Sequence, residues 1–143
     1  MSALEKLVVD ANVAAKWYVP ELDSEAASAI LDRGDPLFAP DLIVAEFGNV
    51  VWKKVSKGEL GQSEAVEIIR AFISSSPVVL RPATVFLSAA FDIAIRYNVT
   101  VYDALYLAVA LDESCPLVIA DKRLGQALRG TELEKAILVL RNL

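Results

Sequence analysis

The sequence contains no histidine and a single cysteine, Cys115, among its 143 residues. The lack of histidine excludes catalytic triads with a histidine base, imidazole zinc sites and histidine general acids. One cysteine cannot form an internal disulfide or a thiolate metal cage, which is typical of a protein in a reducing cytoplasm. Any catalysis must therefore use carboxylates, Lys, Tyr, Ser or Thr, or a metal ion held by oxygen atoms. Carboxylate oxygens suit hard cations such as Mg²⁺ or Mn²⁺.

Long apolar runs are also missing. No uncharged run exceeds ten residues, whereas roughly 18 apolar residues are needed to span a bilayer. The opening residues, MSALEKLVV, lack the basic region, apolar core and cleavage site of a secretory signal. We therefore expect a cytoplasmic protein with no membrane span. The net charge of −5 argues against a general nucleic-acid-coating protein, which is normally basic. It leaves open an enzyme whose acids surround a metal ion.

The chain does contain short apolar strands that alternate with helices. Strands are predicted at residues 6–9, 37–39, 78–80, 117–120 and 136–140. Helices are predicted at residues 11–19, 24–31, 42–57, 63–74, 84–97, 101–111 and 122–128, with Thr84 and Thr100 as N-caps and Asn98 in a C-terminal turn. Short, uniformly apolar strands are typical of a parallel sheet that is covered on both faces. The pattern predicts the α/β class: one domain over residues 1–143, a three-layer α/β/α sandwich with a central, mostly parallel sheet of about five strands.

Two acids follow predicted strands directly. Asp10 comes after Leu7–Val9, and Asp121 comes after the strand that ends at Ala120. Taken singly, each acid is well explained as the N-cap of the next helix. Parallel strands, however, place their carboxyl ends at one edge of the sheet, where such folds bind ligands. Asn12 could act as a cap or could orient Asp10 by hydrogen bonding.

Two further acids lie on predicted helices. Glu46 has apolar neighbours, and an unpaired carboxylate there would cost several kcal/mol unless its tip reaches water. A cation, or a partner such as Asn49, would remove that cost. Asp103 completes the capping-box pattern Thr100-x-x-Asp103, which by itself accounts for its position. The helix behind Asp103 is nearly all apolar, so this acid also faces the expected crevice, and both roles can coexist.

Together these four acids form a plausible pocket for a hard cation, because a bound divalent ion relieves the repulsion among grouped carboxylates. Lys53, Lys54 and Lys57 form a basic cluster near the end of the Glu46 helix. Such a cluster is usually an exposed helix face and less often a phosphate contact.

The segments Asp10-Ala-Asn12, Glu46, Tyr102-Asp103-Ala104 and Ala120-Asp121-Lys-Arg-Leu124 resemble the PIN-domain family, and in particular its VapC-type toxins. The resemblance extends over essentially the whole chain in length, element order and acid placement. It implies a parallel sheet between helices and a Mg²⁺- or Mn²⁺-dependent endoribonuclease. It also implies a small antitoxin partner that blocks the acidic pocket, and a homodimer or higher homo-oligomer. One departure is Ile119, where family members often have Thr or Ser.

Under this hypothesis the protein hydrolyses RNA phosphodiesters. Asp10 and Asp103 would bind the principal cation, Asp121 would complete its shell, and Glu46 would bind a second cation or position the attacking water. Asn12 would orient Asp10. The alternatives are a PIN nuclease of general RNA processing and a PIN-like interaction domain whose acids serve only as caps.

Two other Mg²⁺-dependent α/β classes fit the sequence poorly. A phosphoaspartyl phosphatase would have an acid where this chain has Asn12. A receiver-type phosphorylation module needs paired acids at the first strand and a lysine that ends a later strand. Here the first strand ends in Val9-Asp10, and the later one in Asp121-Lys122.

Overall fold

The sheet has five strands, and every strand pair in it is parallel. The computed structural model describes residues 5–143. The strands are β1 (Leu7–Val9), β2 (Leu37–Pro40), β3 (Val78–Arg81), β4 (Leu117–Ile119) and β5 (Ile137–Val139), in the spatial order β3-β2-β1-β4-β5. The predicted α/β fold with a five-stranded parallel sheet is confirmed. The strands β1 and β4 are buried along their whole length, as their uniformly apolar sequences require.

Within the described residues, seven α-helices connect the strands. They are α1 (Ala11–Ala15), α2 (Ser24–Arg33), α3 (Leu42–Ser56), α4 (Gln62–Ser75), α5 (Ala83–Tyr97), α6 (Val101–Glu113) and α7 (Arg123–Ala127). Two short 3-10 helices, Glu134–Ala136 and Leu140–Asn142, flank β5. None of the helices in the described part of the chain is long and apolar enough to cross a bilayer.

The strand order determines which face each helix covers. The chain steps from β1 to β2 and β3 in one direction, then returns to β4 and β5 in the other. Because parallel crossovers are almost always right-handed, α1 to α4 cover one face and α5 to α7 cover the other. Accordingly, α6 packs against β1, β2 and β4, while α1 packs against α3. The direction changes between β1 and β4, so the crevice where α/β folds bind ligands lies between these two strands.

Local capping explains most helix boundaries. Thr100 caps α6, as predicted, and its hydroxyl oxygen accepts a hydrogen bond from Asp103 N at 3.1 Å. Asn98 ends α5 in the left-handed conformation with φ 55°, also as predicted. Thr84, by contrast, was wrongly predicted as a cap, because α5 begins at Ala83. A carboxylate from another element, Asp41 Oδ1, accepts the hydrogen bond of Ala83 N at 3.0 Å.

The helix α6 forms the centre of the core. Its residues 104–110 are all buried, without a break. A helix that is apolar on all sides is stable only when protein surrounds it. The position of α6 is therefore fixed by packing against the sheet and α5, and its first turn is held at the carboxyl edge of the sheet.

Candidate functional site

A cavity of about 480 Å³ opens at the carboxyl edge of the sheet. All five predicted site residues line it: Asp10, Asn12, Glu46, Asp103 and Asp121. They come from the ends of two neighbouring strands and from three helices, so their convergence results from the fold and not from proximity in sequence.

Asp10 lies partly buried between the end of β1 and the start of α1. It is the N-cap of α1, and its Oδ1 accepts a hydrogen bond from Val13 N at 2.8 Å. The capping role expected from sequence is therefore confirmed. Asn12 was expected to cap or to orient Asp10, but the bond to Asp10 comes from the main chain of Val13. The exposed side chain of Asn12 lies on the cavity wall instead.

Asp121 is exposed just beyond β4. It is not the N-cap of the following helix, because α7 begins at Arg123 and the cap position is Lys122. Asp121 Oδ1 nevertheless accepts a hydrogen bond from Arg123 N at 2.9 Å. This short turn fixes the carboxylate beside Asp10 in the crevice between β1 and β4.

Glu46 projects from α3 into the cavity and is bound by a residue that sequence reasoning missed. Tyr106 Oη donates a hydrogen bond to Glu46 Oε1 at 2.6 Å. Tyr106 is 4% exposed and also lines the cavity. Asn49, the partner suggested from sequence, makes no hydrogen bond to Glu46 here. The available signal was that Tyr106 is the only polar side chain within the apolar block of α6, and it follows Asp103 by one helical turn.

Asp103 lies in the first turn of α6. Its main-chain N–H is bonded to Thr100, which is one half of a capping box. The reciprocal bond from its carboxylate to the backbone is not among the hydrogen bonds of residues 5–143. The prediction that the Asp103 carboxylate completes a capping box is therefore wrong, because only the Thr100 half of the box forms. The Asp103 side chain is instead available to the cavity.

Three of the four carboxylates share a common arrangement. In Asp10, Glu46 and Asp121, one oxygen accepts a single hydrogen bond. No protein hydrogen bond to the second oxygen is found in the described residues. Each side chain thus has one oxygen that fixes its orientation and one that can bind a cation. Oxygen donors of this kind fit Mg²⁺ or Mn²⁺.

The acids are not in contact as a preformed cluster. Among residues 5–143, no three acidic, histidine or cysteine side chains are close enough to form a ready metal site. The cavity floor instead holds separated carboxylates that repel one another. Binding of a cation would require small side-chain movements toward the centre of the cavity.

The repulsion is visible in the pKa values of the acids. Burial is the main cause that raises the pKa of Asp10 to about 7, and the charges of Asp121, Glu46 and Asp103 add to it. Burial and the charge of Asp103 also raise the pKa of Glu46, although the Tyr106 hydrogen bond opposes this. Clusters of perturbed carboxylates in a cleft are typical of functional sites.

Four cations and one further acid, Glu59, lie around the acidic floor. Lys53, Lys54 and Lys57 on α3 and Arg123 at the start of α7 line the same cavity. Lys54 pairs with Glu21 at 2.5 Å, whereas Lys53, Lys57 and Arg123 make no ion pair within the part of the chain that the structure describes. The arrangement of acids below and unpaired cations above can bind both divalent metal and phosphate. Ile119 is buried on the wall, so it supplies no hydroxyl group there.

We predict that the metal-free protein loses stability as the pH rises through about 7. The folded protein keeps the Asp10 proton up to about pH 7, whereas the unfolded chain releases it near pH 4. The native state therefore binds more protons between these values, so unfolding becomes easier as the pH rises within that window.

The substitution Asp10→Asn tests this prediction, because it keeps an amide oxygen for the cap and removes the buried charge. At pH 8 it should stabilise the metal-free protein by up to about 4 kcal/mol, measured by urea unfolding, and should flatten the pH dependence between pH 5 and 8. An Asp10→Asn protein that is less stable than wild type at pH 8 would contradict this.

We also predict that the Tyr106 hydroxyl stabilises the site. Tyr106→Phe keeps the ring but leaves the half-buried Glu46 carboxylate without its donor, which should lower the free energy of unfolding by about 1.5–3 kcal/mol. Tyr102→Phe is the matched control, because Tyr102 lies on the same helix and is 61% exposed. Equal effects of the two substitutions in urea unfolding would show that the bond to Glu46 contributes nothing.

Comparison with known proteins agrees with this geometry. The sequence model of the PIN-domain family matches residues 7–128 of this chain. Ribonuclease VapC3 of Pyrobaculum aerophilum is 36% identical over 124 residues, which are 85% of this chain and 93% of that protein. Ribonuclease VapC1 of Mycobacterium tuberculosis is 32% identical over 130 residues, which are 87% of this chain and 92% of that protein.

Two crystal structures have the same fold. That of PAE2754 from Pyrobaculum aerophilum has a TM-score of 0.66 at 25% identity and covers 99% of this chain and 94% of its own. That of Mycobacterium tuberculosis VapC20, a toxin that cleaves the sarcin-ricin loop, has a TM-score of 0.62 at 17% identity and covers 79% of this chain and 86% of its own. The family model and the VapC relatives span most of the chain, and the chain therefore belongs to the PIN-domain family.

Proposed function

We propose that this protein is a Mg²⁺- or Mn²⁺-dependent endoribonuclease, the toxin of a type II toxin–antitoxin pair. The observation that carries the proposal is the cavity itself, in which four carboxylates converge beneath a rim of lysine and arginine in a chain without histidine. The two relatives above that span most of the chain are named ribonucleases of the VapC group, which supports the same reaction class.

Each acid has a role that follows from its position. Asp10 and Asp121, on the two strands beside the crevice, and Asp103, on α6, would hold the principal cation. Glu46 would hold a second cation or accept a hydrogen bond from the attacking water, with its carboxylate oriented by Tyr106. A bound divalent cation would lower the pKa of a water molecule that it holds, and it would neutralise the charge that develops on the phosphate oxygens. Asn12, on the cavity wall, would contact the ribose or phosphate.

The basic rim is suited to a phosphodiester substrate. Lys53, Lys57 and Arg123 have no ion pair within the described residues and reach the same cavity as the acids. Cations that are not already paired can neutralise phosphates and release counterions, which is the main sequence-independent source of nucleic-acid affinity. The net charge of −5 confines that attraction to the rim, so the protein would not coat RNA nonspecifically.

The antitoxin is the second partner we propose, in a cytoplasmic setting. A segment that places an arginine or lysine among the four carboxylates would neutralise them much as a metal ion does, and would exclude metal and RNA together. The alternatives, a PIN nuclease of general RNA processing and an interaction domain whose acids are caps, predict different behaviour. The interaction domain predicts no stabilisation by metal, because Asp10 and Asp121 already have local hydrogen bonds.

The deciding experiment is thermal melting with and without Mn²⁺, followed by RNA cleavage. If the metal binds only the folded state and its concentration is a hundred times its Kd, the free energy of unfolding increases by about 2.7 kcal/mol. The melting temperature of the wild type should therefore rise by several degrees in Mn²⁺. Asp10→Asn and Asp103→Asn should each abolish most of that rise and lower RNA cleavage at least about a hundredfold, since the cation's charge stabilisation is lost.

Glu64→Gln is the matched control. It removes one carboxylate from an exposed position on α4, outside the cavity, and should leave both the Mn²⁺ shift and cleavage unchanged. No metal-linked shift in the wild type would overturn the metal site. A shift without cleavage of any RNA tried would favour the interaction domain.

We further propose that the protein self-associates through α5. Leu87, Phe91 and Ile95 lie four residues apart on one face of this helix and are 52%, 59% and 71% exposed. Apolar stripes of this kind commonly mark interfaces between subunits. The position of α5, opposite the face that α1 to α4 cover, leaves the stripe free for a second copy related by a twofold axis.

Phe91→Glu should therefore convert the protein to a monomer, as measured by sedimentation equilibrium at micromolar concentration, because it buries a charge in a two-fold symmetric contact. Ile73→Glu on α4 is the matched control, since Ile73 is also 71% exposed but lies on the other face of the sheet. A wild-type protein that is monomeric at these concentrations would disprove the interface.

A further inference from the structure

A second cavity, of about 530 Å³, continues from the first along the carboxyl edge of the sheet. Asn12, Val50, Lys54 and Asp121 line both cavities. The two are therefore parts of one groove. Asp10, Glu46 and Asp103 line only its first part, whereas Asp121 lies where the two parts meet. We call the other part, toward β5, the outer groove.

The outer groove carries four cations, each from a different part of the chain. Lys16 and Lys54 both approach Glu21, at 3.5 and 2.5 Å, so these two charges are partly neutralised. Lys122 is exposed and makes no ion pair within residues 5–143. Arg141 pairs with Asp23 at 3.3 Å, and half of its side chain is exposed. Lys122 and Arg141 are thus the groove cations most open to a ligand.

The sheet topology explains the order of charges. Strands β1, β4 and β5 are adjacent and parallel, so the residues that follow them succeed one another along one edge. Asp10 follows β1, Asp121 follows β4 and Arg141 follows β5. The sign of the charge changes from acid to base as the edge is followed outward. Arg141 also lies beyond residues 7–128, the part that the PIN-domain family model matches.

We propose that the outer groove binds the RNA backbone on one side of the phosphate that is cleaved, with Lys122 and Arg141 as its phosphate contacts. This inference rests on the proposed nuclease function, since it assigns the path by which the substrate leaves the acidic cavity. A linear polyanion fits the observations because the groove is continuous with the site and because, beyond Asp121, its most exposed charged side chains are those of Lys122 and Arg141. An acidic peptide would fit the cations equally, but only a phosphodiester is a substrate for the cation site proposed at the four carboxylates.

The test is the salt dependence of KM for cleavage of a single-stranded oligoribonucleotide in Mn²⁺. Each phosphate contact on a single strand contributes about 0.7 to the slope of log affinity against log salt. The double substitution Lys122→Gln and Arg141→Gln should therefore reduce that slope by about 1.4. By the same relation it should raise KM about 25-fold at about 0.1 M salt. Arg141→Gln alone, well removed in sequence from the acids, should give about half of the change in slope.

The matched control is the double substitution Arg129→Gln and Lys135→Gln. It removes the same charge from two exposed positions that line neither cavity, and it should leave KM and its salt slope unchanged. Melting temperatures of all variants in Mn²⁺ establish that they are folded and still bind the metal.

A dinucleotide substrate separates backbone contacts from an effect on the neighbouring Asp121. If the outer groove binds backbone, the ratio of KM between the double variant and wild type falls toward one when the RNA is too short to reach it. An equal loss on both substrates, or an unchanged salt slope on the long one, would overturn the assignment. Failure of the wild type to cleave RNA at all would instead overturn the proposed function, so the two failures are distinguishable.

Discussion

The repulsion among four carboxylates at one edge of the sheet is the constraint on which the rest of the site depends. Burial and the neighbouring acids raise the pKa of Asp10 to about 7, so the acids repel one another near neutral pH unless a cation is bound. The acids remain together because packing elsewhere fixes the elements that carry them. Strand β1 and residues 104–110 of α6 are fully buried, and hydrophobic burial of this extent outweighs a few kcal/mol of local repulsion.

Hydrogen bonds then fix the orientation of three of the four carboxylates in the pocket. Val13 N, Tyr106 Oη and Arg123 N each bind one oxygen of a different carboxylate, and the second oxygen is left for a ligand. A carboxylate held in this way loses less rotational freedom when it binds a cation, which is the physical content of preorganisation. The caps and the cation site are therefore not competing explanations of Asp10, because one oxygen serves each role.

Whether a hydrogen bond of the site could be predicted from the sequence depends on how far apart its donor and acceptor lie along the chain. The caps at Asp10 and Thr100 were predictable because donor and acceptor are three residues apart. The bond between Tyr106 and Glu46 joins residues 60 positions apart. The isolated tyrosine in the apolar block of α6 indicates a polar contact, but no local pattern identifies Glu46 as its partner. The same holds for Asp41, which caps α5 from a distance. The sequence pattern predicts that the strands are parallel, but it does not predict their spatial order. Only the order β1-β4-β5 places Arg141 beside Asp121.

The helix α3 connects acid chemistry with phosphate binding through its geometry. Glu46, Val50 and Lys54 are four residues apart and so lie on one helix face, with Lys53 and Lys57 beside it. At 1.5 Å per residue, Lys53 lies about 10 Å and Lys57 about 16 Å along the axis from Glu46. The more distant lysine is therefore too far to meet the phosphate being cleaved and is suited to a neighbouring one. In the proposed complex, this one helix would therefore set the separation between the phosphate that is cleaved and the neighbouring phosphate. Inserting one residue between Glu46 and Lys53 would rotate the lysines away from the cavity by about 100°.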